Sequence, residues 1–386
     1  MDYLLMHKNI EVAVVNDDGG KYNIVSVINS SHLPLACQSF REDDFWFQSR
    51  FSTWLDTRCI PYSRDKADEL RKHIGHFPRY IVEHLGLALT DCYWFKPLGS
   101  PLTWEEVNLR DNGFDDVIGK FMVFDEKPDV LITDRSPDIT TNGVLPKMWI
   151  KSDEGIFLVK GSAPNHGFRT GIESMNEIFV SELCKLLGVP AVSYRGMEMK
   201  GSNEILCYSK LFLNSSNEEY VPLLDYEFAN AIAPNTGLPV FRNMKDANGK
   251  PVANEVMKLA ALDRIIANMD RHSGNIGIIR DADTLQILRL APNFDCGFSC
   301  QLDEKTHALT QYIPKLVGMP TQFEHGVINE NVRTADIMKL FLNISADSYS
   351  REEAIIIATG IARNYYNIVN EINMDRADRT DERVRS

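Results

Sequence analysis

Short, mostly apolar, β-like runs over residues 10–15 and 22–28 flank the turn Asp17-Asp18-Gly19-Gly20, a pattern that predicts a β-hairpin. A second hairpin is predicted where residues 147–151 and 156–160 bracket Ser152-Asp153-Glu154-Gly155; its second strand ends on Lys160. From Glu173 the period lengthens. Met175, Ile178, Phe179, Leu183, Leu186 and Leu187 recur at three- and four-residue spacing, which predicts a helix that Gly188 and Pro190 stop. Residues 192–199 and 204–212 predict a third hairpin across Lys200-Gly201-Ser202-Asn203. Beyond Leu223 the pattern is helical, with Val256, Leu259, Ala260, Ile265 and Ile266 on one face of a helix over residues 255–269. One strand pair, 276–279 with 285–290, turns at Asp281-Ala282-Asp283-Thr284, and helices over 334–342 and 352–372 follow.

This order of elements predicts an α+β chain in three parts. Residues 130–146 are dense in Pro, Asp, Thr, Asn and Gly and mark a boundary or a functional loop. The division is 1–137 as an N-terminal α+β subdomain, 138–222 as a small, mainly β lobe, and 223–386 as a mainly helical lobe. A chain of 386 residues exceeds what one hydrophobic core organises, which agrees with several packed units. The aromatic residues Trp46, Trp54, Tyr93, Trp94 and Trp104 are expected in core or interdomain packing.

Composition removes several function classes. A net charge of −13 argues against direct nucleic-acid binding, which needs clustered Lys and Arg. The apolar start of the chain lacks the basic leader of a signal peptide, and the longest uncharged apolar run, residues 354–362, is far short of a bilayer span. A soluble cytoplasmic chain with no membrane partner is expected. The seven cysteines are scattered without a C-x-x-C pair and are read as reduced thiols; Cys296 and Cys300 alone would leave a metal half-coordinated.

The residues that carry chemistry follow the helix ending near Met269: Asp270-Arg271-His272-Ser273-Gly274-Asn275 and then, past the strand pair, Asn293-Phe294-Asp295-Cys296-Gly297. A returning hairpin would bring Asp270 and Asn275 to face Asp295, 25 residues beyond Asp270. Two carboxylates and an amide then converge. Phosphoryl transfer from ATP needs such a group: hard oxygen ligands for Mg²⁺, read as Asn275 and Asp295, and a carboxylate that orients the acceptor hydroxyl, read as Asp270. By itself D-x-x-x-x-N is a polar loop capping a helix. Lys160 at a strand end supplies a phosphate-pairing lysine, and Glu177 on the next helix a partner for it, with Glu173 and Glu182 as solvated-face alternatives. His272 either braces the loop or takes part in catalysis. Arg271 is either a phosphate contact or a structural salt bridge.

At these residues the chain resembles the bacterial HipA-like serine/threonine kinases, toxins of toxin–antitoxin modules and their relatives. The matching segments are Thr140-Thr141-Asn142-Gly143, Pro146-Lys147, Phe157-Leu158-Val159-Lys160, Asn176-Glu177, the Asp270 to Asn275 loop and Pro292-Asn293-Phe294-Asp295. The resemblance covers roughly residues 138–300. It implies a bilobal protein-kinase-like fold, ATP and Mg²⁺ as cofactors, and a protein substrate such as a translation component. An antitoxin partner is also implied. It makes Thr141, Asn142 and Gly143 the phosphate loop and Lys210, Leu211 and Phe212 the adenine hinge. Autophosphorylation of Thr140 or Thr141, ejecting the loop, is implied as well. The loop departs from a glycine-rich pattern in holding one glycine, Gly143.

Two other readings compete. The D-R-H-x-x-N string with a following metal aspartate also marks phosphoinositide kinases, so a lipid or small-molecule kinase is the alternative, disfavoured by the acidic chain. The other is a nucleotide-binding pseudokinase that acts by docking.

Overall fold

The computed structural model describes residues 2–38, 46–127, 135–162, 171–199 and 204–385. The predicted turn at residues 200–203 lies outside them, as do residues 130–134 of the expected boundary. In chain order the elements begin with strands β1 (Asp2–His7), β2 (Ile10–Asp18) and β3 (Lys21–Val27), then helices α1 (Phe47–Thr57), α2 (Ala67–Ile74) and α3 (Phe77–Glu83). Next come β4 (Tyr93–Pro97), α4 (Trp104–Val107), α5 (Val117–Phe124), β5 (Lys147–Ser152), β6 (Gly155–Lys160) and α6 (Glu173–Leu187). The middle of the chain holds β7 (Tyr194–Glu198), β8 (Ile205–Lys210), β9 (Glu218–Pro222), α7 (Leu223–Ala229) and α8 (Val252–Ile266). The remainder is β10 (Gly277–Asp281), β11 (Ile287–Leu290), β12 (Leu302–Asp303), β13 (Ala308–Leu309), α9 (Thr334–Ile344) and α10 (Arg351–Arg385). The fold is mixed α+β, as expected. It forms two compact units, the first of Met1–Ala163, Leu213–Pro234 and Gly277–Ile287, the second of Pro164–Phe212, Asn235–Ile276 and Leu288–Ser386.

In the first unit an antiparallel sheet runs β3-β2-β1-β4. The apolar run at the start of the chain is an interior strand: β1 lies between β2 and β4, and residues 3–7 are buried. The predicted β2–β3 hairpin forms, and the Asp17 carboxylate accepts from Gly20 N–H at 2.7 Å across its turn. Leu5, Val12, Ala13, Phe51, Trp54, Phe77, Ile81 and Phe95 form the core between this sheet and its helices. Trp54, Tyr93, Trp94 and Trp104 are buried as expected, but Trp46, just before α1, is 62% exposed. The expectation of packing fails there because Trp46 lies at the helix N-cap, ahead of the face that Phe47 and Phe51 bury.

The β5–β6 hairpin closes on a two-residue turn, with Ser152 opposite Gly155 and Lys147 opposite Lys160. Strand β9, not foreseen, pairs antiparallel with β10 and sets Glu219 opposite Arg280. Their side chains meet at 2.6 Å, and His7 Nε2 reaches the other Glu219 oxygen at 3.1 Å.

In the second unit α6 is buried around most of its circumference and stops at Gly188, whose φ of 70° suits glycine. Phe179 of α6 meets Phe341 of α9 edge-to-face, ring centres 4.9 Å apart. β7 and β8 form the third predicted hairpin. Helix α8 ends earlier than its apolar pattern suggests. Ala267 turns left-handed (φ 51°), and both Ala267 and Asn268 N–H donate to the Asp263 carbonyl. The final helix α10 is longer than predicted. It is held to α8 by a two-point Arg264–Glu371 pair and by Asn364, whose amide donates to the carbonyls of Arg264 and Ile265.

Candidate active site

The left-handed break at Ala267 releases the chain into the Asp270 to Asn275 loop. Asn268 fixes its start, accepting from Asp270 N–H at 3.0 Å and donating to the Asp263 carboxylate at 2.9 Å. Arg271 is the centre of the arrangement. Its side chain is 1% exposed and its guanidinium makes a two-point pair with Asp263, which is fully buried. One further nitrogen, Nη1, donates to Asn275 O at 2.9 Å and to Phe294 O at 3.0 Å, while Nη2 reaches Asn293 Oδ1 at 2.6 Å. A single guanidinium nitrogen therefore binds the carbonyl of Asn275 and the peptide joining Phe294 to Asp295. Asn275 and Asp295 are brought together at their backbones. Arg271 is thus a structural ion pair, which settles the choice the sequence left open. Burial alone would lower its pKa, but Asp263 raises it above the ordinary arginine value, so its charge is permanent.

Asp295 itself adopts φ 60°, a left-handed conformation uncommon outside Gly, Asn and Asp, and its neighbours constrain it there. The constraint comes from both sides. Asn293 pairs with the chain after α6, through Val192 N–H to Asn293 O at 2.9 Å and Asn293 N–H to Pro190 O at 2.8 Å. On the other side the Glu177 carboxylate accepts from Cys296 N–H at 3.0 Å, and the Asn176 amide donates to Gly297 O at 2.8 Å and Ser299 O at 2.7 Å. The Asn176-Glu177 pair thus grips the loop that carries Asp295. Glu173, read as a solvated-face alternative, is instead fully buried beside Gly297, so that reading is corrected: the residue is the first of α6, and it accepts from Gly171 N–H at 2.8 Å. Glu182 pairs with Lys185 at the surface.

His272 Nδ1 accepts from Gly274 N–H at 3.0 Å, which defines its neutral tautomer with the proton on Nε2. Burial lowers its pKa, the nearby Asp270 and Asp295 raise it, and Lys315 and Arg271 lower it; the net shift is downward. Asn275 Nδ2 leans on Asp270 O at 3.4 Å. Asp270 receives Lys315 Nζ at 2.8 Å, a contact no sequence pattern announced because Lys315 lies in an irregular segment 45 residues away. Phe212, from the expected hinge, stacks on Phe294 with ring centres 5.5 Å apart and planes 15° apart; Lys210 is exposed and Leu211 half-buried.

The remaining candidates lie in the first unit. Lys160 and Lys147 are both buried and face each other across the hairpin end. Like charges so placed repel unless acceptors stand beside them. Lys147 Nζ has one in Asn142 O at 3.0 Å. Arg64, nearly fully buried, donates to Gly143 O at 2.7 Å and Thr141 O at 2.5 Å. Three successive carbonyls of the expected phosphate loop, at 141, 142 and 143, thus face two cations. Burial lowers the Arg64 pKa to about 9, with Asp138 opposing, so it stays charged at neutral pH. Gly143 has φ 101°, and a side chain there would also run into the Lys147 ammonium. Thr140 Oγ1 donates to Leu87 O at 2.7 Å and Thr141 Oγ1 to Pro137 O at 2.7 Å, so both hydroxyls are engaged by backbone.

Among solved structures the chain is similar to HipA in the Shewanella oneidensis toxin–antitoxin complex of HipA, HipB and operator DNA. The identity is 14%, the TM-score is 0.52, and the match covers 96% of this chain and 91% of that one. The chain has a HipA-like kinase fold. The proinflammatory kinase CtkA of Helicobacter pylori is 17% identical and matches 61% of this chain and 95% of its own at a TM-score of 0.47. No protein-family model and no curated protein sequence matches. On this HipA-like fold, the described residues include no helix long and apolar enough to cross a membrane.

Proposed function

We propose that this chain is a cytoplasmic protein kinase that transfers the γ-phosphate of ATP to a Ser or Thr hydroxyl. The observation that supports the reading is the Arg271 nitrogen shared by Asn275 O and Phe294 O, which ties the backbone of the Asp270 to Asn275 loop to the peptide leading into Asp295. One carboxylate and one amide oxygen form the sparse, hard donor set that Mg²⁺ uses when substrate phosphates and water complete its shell, so Asn275 and Asp295 fit that ion. Bound there, Mg²⁺ would supply charge neutralisation on the transferred phosphoryl group.

The chain's own residues do the rest. Asp270 orients the acceptor hydroxyl and takes its proton, Lys160 pairs with the nucleotide phosphates, and Glu177 holds the Asp295 loop. His272, kept neutral, braces the catalytic loop through Gly274. Thr141, Asn142 and Gly143 are the residues proposed for the phosphates, and residues 210–212 those for the adenine. The Shewanella HipA structure includes HipB and operator DNA; for this chain an antitoxin-like protein partner and a protein substrate of the translation machinery are the corresponding expectations.

The test is [γ-³²P]ATP transfer in cell lysate and on lipid vesicles, with Mg·ATP affinity by calorimetry. Asp270→Ala and Asp295→Ala are each expected to abolish protein labelling, and only Asp295→Ala to weaken Mg·ATP binding greatly. Label confined to lipid would replace the protein-kinase reading with the lipid-kinase one, and equal transfer by wild type and Asp270→Ala would end both.

A further inference from the structure

We infer that Lys315 is a catalytic residue, its ammonium bridging the Asp270 carboxylate and the phosphoryl group in transfer; this rests on the kinase reading above. An exposed ion pair alone carries little weight, because two mobile side chains gain little by meeting in water. Here both partners are held. Leu316 is fully buried, and Val317 N–H donates to Asn235 O at 2.8 Å, which fixes the backbone on the C-terminal side of Lys315. The same Asn235 turns its side chain to the catalytic loop, where Oδ1 accepts from Ser273 N–H at 2.9 Å and from Ser273 Oγ at 3.3 Å. Asn235 stands at φ 66°, so one residue in a left-handed turn ties the lysine segment to the loop of its carboxylate. The pairing of Lys315 with Asp270 is built into both segments.

The chemistry suits the placement. Lys315 is 46% exposed at its side chain and Asp270 33%, so the pair stands open to a substrate. An ammonium carries three donors and no acceptor. One is used on Asp270, and the others are available to the equatorial oxygens of a phosphoryl group, whose charge is what such a transition state must have stabilised. In the transfer the acceptor oxygen forms the new bond to phosphorus, and its proton goes to Asp270. The bond from phosphorus to the bridging oxygen breaks with its electron pair leaving on ADP. Lys315 keeps its protons throughout.

The alternative is that Lys315 blocks the carboxylate and must leave before reaction. The two roles predict opposite results for Lys315→Met in transfer from Mg·ATP to casein and to water. A catalytic lysine gives kcat lower by about 100- to 1,000-fold with little change in KM for ATP, the loss typical of removing one donor to developing charge. A faster or unchanged variant overturns the inference.

Rescue separates chemistry from folding. The seven native cysteines are buried, so a Lys315→Cys thiol is the one open to reagent. Aminoethylation of that thiol restores a side-chain ammonium and is expected to recover most of kcat, whereas treated wild type stays unchanged. No recovery overturns the catalytic role. Asp270→Asn runs alongside: a folded wild type that transfers no phosphate, or an active Asp270→Asn, removes the kinase reading itself, while an inactive Asp270→Asn beside a fully active Lys315→Met removes only this inference.

Discussion

Arg271 shows how one buried side chain orders two loops at once. Its guanidinium serves Asp263, Asn275, Asn293 and Phe294 at once, and Asp263 has no exposure. Replacing it with Leu leaves a buried carboxylate and three acceptors without their donor, and breaking a buried pair from one side costs about 3–5 kcal/mol. Arg271→Leu is therefore expected to lower the urea midpoint by that equivalent, and Arg271→Lys to recover only part of it, since a single ammonium does not match the planar fork. Gly143 is the second sensitive residue. Gly143→Ala strains a φ of 101° and displaces Lys147 Nζ, so a lower unfolding midpoint, by the equivalent of about 1–3 kcal/mol, is expected together with weaker Mg·ATP binding by calorimetry. Asp270, Asn275 and Asp295 drew attention by their spacing around a hairpin, and the structure ties the backbones of Asn275 and Asp295 through Arg271. Asp263 was not singled out, though a carboxylate among Leu262, Ile265 and Ile266 on an apolar helix is itself a signal of a buried ion pair. Lys315 and Arg64 gave no signal, since irregular segments have no period to place them.

Helix α6 acts as a handle on the Asp295 loop. Its Asn176 and Glu177 receive or satisfy backbone groups at Cys296, Gly297 and Ser299. Asn176→Ala leaves two buried carbonyls unpaired, each costing about 1–3 kcal/mol. A matching drop in unfolding free energy is expected, together with weaker Mg·ATP binding, because Asp295 loses its brace. Strand β10 is the other sensitive element: a Cβ at Gly277 would collide with the Val221 carbonyl and the Pro222 backbone of β9. The hairpins and α6 were readable because their apolar periods are clean and their turns carry Gly, Asp and Asn. Strands β1 and β9 were missed for opposite reasons. The first is buried on both faces and shows no alternation, and the second carries Glu218 and Glu219, the latter buried against Arg280 and His7, which are distant in sequence.

For the whole molecule, buried carboxylates set the pH response. Burial alone would raise the Glu219 pKa, but Arg280 and His7 hold it at about 2. A depressed pKa gives stability that is present above the unfolded value of 4.5 and lost as pH falls toward 2. Asp225 is the reverse: burial raises it from 3.8 to about 7, against Arg280 and with Asp91. Its contribution is present below 3.8 and lost as pH rises to about 7. Thermal unfolding across pH 4 to 8 is expected to show a decline that Asp225→Asn reduces; an identical slope in the variant would count against the assignment. The two units also have a genetic consequence. Each is assembled from three separate stretches of chain, and the boundaries fall after residues 163, 212, 234, 276 and 287. No single cut in the coding sequence yields either one whole. A fragment ending at residue 137 keeps the sheet of β1 to β4 but discards Glu219, the buried partner of His7, and Arg280, which pairs with Glu219. Segment swaps between relatives would have to exchange matching pieces at all those joins, the join after Ile276 lying one residue beyond Asn275.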